Sequence, residues 1–291
     1  MATIQATPAA MRVTPRDTSR PLWRNPSLLM GGTLLAVVVG LAIFAPLLTP
    51  YGPIDQDLLN AHKPPSWAHP FGTDDFGRDV LTRVLYAARV DLMIGLVPTT
   101  ITFFTGVLLG AIAGYYGGKI DTILMRVVDV AVAFPFIVLL IAIIAMLGPG
   151  LRNMFIAIAL VGWISYARIV RGEVLVARNS EYVLAAKTLG FGDARIIFGH
   201  ILPNVITPAI VFFMSDAVLN ILLGTALSFL GLGVQAPTAE WGRMIQEGRQ
   251  FIVSGEWWMT TIPGLAILVV GVAFSLIGDG LADVLRVEER V

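Results

Sequence analysis

Long apolar runs separated by shorter polar stretches set the pattern of this chain. A helix that crosses a bilayer needs roughly 20 mostly apolar residues. The first such run, Leu28–Leu48, contains no charged residue. Others follow near Leu92–Gly114, Ile123–Leu147, Met154–Val174, Val205–Leu230 and Ile262–Leu281. The pattern predicts an all-α polytopic bundle of six transmembrane helices. The first run is too long for a signal-peptide core and lies behind a polar tail, so it reads as an uncleaved anchor. Residues 1–27 form that tail, within which 1–20 have little to bury and are expected to be disordered. Residues 28–91 hold the first helix and a loop, 92–286 the core, and 287–291 the polar end.

Three connections are long enough to carry structure. In 49–91, Val80, Leu81, Val84, Leu85 and Ala88 repeat at helical spacing. In 231–261, Trp241–Ile252 reads as an interfacial helix, with Trp257 and Trp258 at interface depth. Residues 175–204 read as a helix ending at Gly190, a tight turn through Gly192, and a short helix capped by Asp193 and stopped by Pro203.

Charge orients the bundle. With a cytoplasmic N-terminus, thirteen Lys and Arg fall on inner segments and seven on outer ones. The positive-inside rule then places both termini, and the 175–204 loop, in the cytoplasm. Composition narrows the class further. The chain is 56% hydrophobic and 14% charged, against about 45–50% and about 25% in soluble domains, which argues against a soluble enzyme. Twenty basic residues balance twenty acidic ones, so no basic excess exists to bind nucleic acid. The absence of cysteine removes disulfides, thiolate metal sites and a Cys nucleophile.

Individual positions carry further signals. Gly106, Gly110 and Gly114 form a small-residue face that lets another helix approach closely. Pro135, Pro203 and Pro208 free backbone carbonyls and bend helices. Asp216 lies midway along the fifth span, where an ionisable group must face protein or a watery cavity. Asp216, Asn220, Gly224 and Ser228 recur every fourth residue. They read either as a polar stripe along a translocation path or partner surface, or as ordinary bonding and packing inside the bundle. Arg126 and Asp129 read as a structural ion pair, and Asp74–Asp75 as a solvated loop.

The loop is the most informative segment. Ala185-Ala186, then Gly190, then Leu202-Pro203 match the EAA loop of ABC-importer permeases. Glu181-Tyr182 through Leu202-Pro203-Asn204 resembles the dipeptide/oligopeptide/nickel subfamily. So do Phe71-Gly-Thr-Asp-Asp-Phe-Gly-Arg-Asp-Val-Leu81, Gly114-Tyr-Tyr-Gly-Gly118, Met125-Arg-Val-Val-Asp129, Leu227-Ser-Phe-Leu-Gly-Leu-Gly233 and Gly278-Asp-Gly-Leu281. Their order resembles the C-type permease of the pair, over residues 28–286. One departure is Leu184, which stands where the general motif has Glu, with Glu181 one turn earlier.

The resemblance implies a type I importer permease in a bacterial cytoplasmic membrane. It implies that Glu181, Tyr182, Ala185, Ala186, Gly190, Phe191, Gly192, Asp193, Arg195 and Pro203 form a coupling element seated on a cytoplasmic ATPase. It also implies a homologous permease, two ATPase subunits that bind ATP and Mg, and an extracytoplasmic substrate-binding protein. The chain itself is expected to be non-catalytic and free of cofactors. Gly117-Gly118-Lys119 lacks the first glycine and the hydroxyl of a phosphate loop. No Gly-x-Ser-x-Gly occurs, and His62, His69 and His200 share no metal-ligand spacing. The leading expectation is half of an ATP-driven pathway for di- or oligopeptides. The alternatives are an ion- or proton-coupled transporter titrating Asp216, a permease for nickel or another small solute, and a structural membrane anchor.

Overall fold

A computed structural model describes residues 25–288, with the side chains of 286–288 excepted. The expectations for the 1–20 segment, most of the 1–27 tail and most of the 287–291 end lie outside the described residues. Five helices are long and apolar enough to cross a membrane. They are α1 (Pro26–Leu48), α2 (Val80–Tyr116), α5 (Leu151–Ala177), α9 (Thr207–Phe229) and α11 (Trp258–Glu288). Between them lie α3 (Gly118–Val132) and α4 (Phe136–Leu147), α6 (Glu181–Thr188), α7 (Asp193–Ile196), α8 (Leu202–Val205) and α10 (Trp241–Gly248).

The structure sharpens two sequence expectations. The third run bends at Pro135, as its sequence implied, but by 89°, so that α3 and α4 are separate helices. Pro135 takes an extended backbone (φ −57°, ψ 127°) that separates the two helices, whereas Pro46 and Pro98 are carried inside α1 and α2. Neither half, at 15 and 12 residues, is long enough to span alone. The bundle is therefore five spans plus one bent pair. The second run begins earlier than expected, at Val80, and continues unbroken for 37 residues. At 1.5 Å per residue it reaches about 55 Å, well beyond a hydrocarbon core of about 30 Å. The helical spacing seen around Val80–Ala88 is its first turns, which Asp79 caps by accepting from the Thr82 N–H at 2.7 Å.

Small residues decide the packing. A Cβ added at Gly110 would lie 2.5 Å from the Ala167 carbonyl oxygen, and one at Gly114 would lie 2.9 Å from Val174 Cβ. Gly106 meets Trp163 and Tyr166 in the same way, so α2 and α5 run parallel at near backbone contact. Gly95 and Gly224 do the same between α2 and the antiparallel α9, against Ile221 and Ile94. The first helix packs against α11, where Gly31 abuts Ala273 and Ile277. Its Pro46 leaves the Ala42 carbonyl without a helical donor, and Arg89 of α2 supplies one at 2.7 Å.

One end of the bundle is closed by residues 49–79 together with α10. Asp74 is not solvated, as the sequence implied, but 3% exposed. It accepts from Arg78 Nε at 2.6 Å and from Arg83. Glu247 of α10 accepts from Arg78 and Arg83, each at 3.0 Å, and from Arg243 at 2.9 Å. Burial raises the Glu247 carboxyl, but the Arg83, Arg243 and Arg78 cations outweigh it and hold it below its usual value. Asp75 is raised, by burial and by the neighbouring Asp74 charge. The expected interfacial helix is half right. A helix starts at Trp241, but Trp241 is 1% exposed, and its indole N–H donates to the Val84 carbonyl at 3.1 Å. Trp258 is likewise buried and donates to the Thr73 carbonyl, while Trp257 stays exposed. An indole that finds a carbonyl partner can be buried, which overrides its interfacial preference.

Candidate functional site

At the other end of the bundle, residues 178–206 fold onto the C-terminal turns of α2 and α5. Glu181 starts α6, and the helix stops where Gly190 takes φ +79°. There the Gly190 N–H bonds the Lys187 carbonyl and the Phe191 N–H bonds the Ala186 carbonyl, both near 3 Å. That paired closure is the Schellman arrangement, and its left-handed position favours glycine. Asp193 does not cap α7 as expected. Its side chain instead accepts from Tyr115 Oη of α2 at 2.7 Å. Pro203 does not stop the chain either. A π-helical turn, Ile197–Ile201, precedes it, and the helical backbone continues through Pro203 to Val205.

The segment has two faces. Val183, Ala186, Ile196, Ile197, Ile201 and Leu202 are buried against Val107, Ala111, Val170 and Val174 of α2 and α5. Each buried Val, Ile or Leu among them contributes roughly 1.5–3 kcal/mol. The other face carries Glu181, Tyr182, Ala185, Gly190, Gly192, Arg195 and Pro203, all exposed. Leu184, Leu189 and Phe198 are 51%, 72% and 55% exposed. Leu184, at the motif's Glu position, thus points away from the bundle. Arg195 lies over the Phe191 ring at 4.2 Å, and His200 stacks on that ring with centroids 5.5 Å apart.

Further contacts pin this end, and the sequence did not identify them. Arg178 donates to the Gly114 carbonyl at 2.9 Å, satisfying the C-terminus of α2. Arg171 of α5 makes a bidentate pair with Asp121 of α3. Arg126 and Asp129 form no pair with each other within 4 Å, contrary to expectation. The motif Gly114-Tyr-Tyr-Gly-Gly118 marked the place, but nothing in its spacing named Asp193 or Arg178 as partners.

The fourth-residue stripe of α9 does not present one polar face. Ser228 is fully buried and accepts from the Val234 N–H, and Asn220 is buried and donates to Thr99 Oγ1 at 2.7 Å. Gly224 packs on Ile94. Only Asp216 is partly exposed, accepting from Tyr166 Oη at 3.0 Å.

A helical bundle with five spans and a bent pair, one closed end and one end bearing a partly apolar exposed loop has the architecture of a multi-pass membrane protein. A family profile described as the binding-protein-dependent transport system inner membrane component matches residues 106–287. A second, the N-terminal transmembrane domain of oligopeptide transport permease C, matches 16–65. The dipeptide transport system permease protein DppC of Alkalihalophilus pseudofirmus is 45% identical over 93% of this chain and 88% of that protein. DppC of Bacillus subtilis is 42% identical over 93% and 84%, and the probable D,D-dipeptide permease DdpC of Escherichia coli 41% over 90% and 87%. The chain belongs to the family of binding-protein-dependent transport system inner membrane components, and it is an ABC-type permease subunit of the bacterial inner membrane. Proteins of this family are transport permeases that work with ATPases and a binding protein.

Proposed function

We propose that this chain forms half of the pathway of an ATP-driven peptide importer. Its cargo is a di- or oligopeptide, in keeping with the dipeptide and oligopeptide permeases it resembles. A homologous permease completes the pathway, and an extracytoplasmic binding protein delivers the peptide. Two ATPase subunits bind ATP and Mg, and this chain contributes no catalytic group. Both termini and the 181–205 segment face the cytoplasm, as the charge bias of the loops favours.

The observation that carries the reading is the two-faced 181–205 segment. Its inner face is fastened to α2 and α5, while its outer face exposes Leu184, Leu189 and Phe198 to a partner. A push on that outer face moves a packed unit, because the segment continues through α8 into α9. The test is ATP-dependent uptake by the reconstituted complex carrying Gly190→Val or Gly192→Trp. Both variants insert in the membrane and lose uptake. Unaltered uptake would overturn the coupling role.

A further inference from the structure

Asp216 has no explanation in the fold. It is the tenth of the 23 residues of α9, deep in a membrane-spanning helix. Its partners are neutral: the Tyr166 hydroxyl at 3.0 Å and the Asn220 amide one turn on. Among the described residues, no Lys, Arg or His nitrogen lies within 4 Å of it. An unpaired acid facing lipid is costly, so its open side faces a pathway or another polar group.

The surroundings are aromatic. Phe212 and Phe213 precede Asp216 by four and three residues and so share its side of α9. Phe212 meets Tyr166 with centroids 5.0 Å apart, and Phe103 meets Tyr166 at 5.6 Å and Phe213 at 5.7 Å, all edge-to-face. Ring faces attract organic cations, and a carboxylate beside them adds a counter-charge. A metal ion fits less well, because only one carboxylate is present and no group of three or more metal-ligating side chains occurs among the described residues.

We infer that Asp216, held by the buried Tyr166 hydroxyl and flanked by the partly exposed Phe103, Phe212 and Phe213, is a transit site for an ammonium group, the free amino terminus of the carried peptide. The site rests on the importer reading and adds the chemical feature of the cargo that this chain recognises. It binds weakly, since an ion held by one carboxylate and ring faces can leave again.

The test is uptake by proteoliposomes holding the whole transporter with its binding protein. The probes are one neutral-side-chain peptide and its N-acetylated form, each first shown to bind the binding protein. Wild type is expected to carry the free-amine peptide faster. Asp216→Asn lowers free-amine uptake about tenfold, the factor for one lost charge-assisted contact. Acetylated uptake falls less than free-amine uptake in that variant, so the preference for the free amine is lost. Asp216→Glu retains the preference, and Phe212→Leu reduces it without abolishing it. Equal loss for both peptides, no loss for either, or failure of Asp216→Asn to assemble with the partner permease overturns the ammonium site. Absence of ATP-driven peptide uptake in wild type overturns the importer reading itself, and this site with it.

Discussion

The two ends of the bundle treat their side chains in opposite ways. At the end closed by α10, charged groups are buried and paired within the chain. Arg83 is 1% exposed, and Asp74, Arg78 and Glu247 surround it. At the end formed by α6 to α8, charged Glu181 and Arg195 are exposed, and apolar Leu189 and Phe198 stand open beside them. Both ends leave apolar side chains open, Leu59, Trp67 and Val253 at the first and Leu189 and Phe198 at the second. They differ in their charges, which the first end pairs inside the chain and the second leaves exposed on a segment fastened to α2 and α5.

Substitutions can break that contrast, and the largest effects belong to the closed end. Arg83→Met leaves the Asp74 and Glu247 carboxylates short of a cation. Removing one member of a buried charge network costs about 3–5 kcal/mol, so thermal unfolding of the purified complex should show a large loss. A melting point equal to wild type would show that the network is not buried as described.

Next in size is the α2–α5 seam that joins the two ends. A side chain at Gly110 would press on the Ala167 backbone, so Gly110→Val is expected to cost about 1–3 kcal/mol. The same change at Gly172, which has open space around it, provides the control. Similar losses in both variants would remove the case for close backbone approach.

At the open end the stability effect shrinks while the functional effect grows. Leu189→Ser should change stability by no more than about 0.5 kcal/mol, as for exposed positions. It should still reduce stimulation of ATP hydrolysis by the loaded binding protein. Normal stimulation would place the partner contact elsewhere.

Acid gives the smallest and most distinctive effect. The folded-state value of Glu247 lies below its ordinary 4.5, so its stabilisation is present above 4.5 and is lost as pH falls through the lower value. Glu240, which caps α10 through the Gly242 and Arg243 N–H groups, is raised by burial. It therefore acts in the opposite sense: stability falls as pH rises from its ordinary value through the raised one. Glu247→Gln should flatten the loss on acidification, and Glu240→Gln should not. Melting curves across the acid range distinguish the two.

Much of this was legible from residue pattern. Apolar run length located the spans, because lipid leaves a helix as the way to satisfy backbone polar groups locally. The Gly106, Gly110 and Gly114 series marked a close-packing face, and Gly190 marked a helix end. The Asp74 network was not legible, because its partner Glu247 lies over 160 residues away. Trp241 misled for a related reason: its carbonyl partner, Val84, belongs to another helix. The α9 stripe resolved only when Asn220 and Ser228 were seen to be buried and bonded, leaving Asp216 as the member that is partly exposed.

By itself, the sequence determined the class of molecule, the approximate spans and the two-helix shape of the 181–205 segment. These follow from local periodicity, backbone hydrogen bonding and glycine stereochemistry, all properties of neighbouring residues. Tertiary structure decided that the third run breaks by 89°, that the charges near α10 are buried, and which residue holds the Asp193 carboxylate. Those outcomes depend on which distant groups meet. An isolated acid, arginine or indole has no fate until its partner is in place.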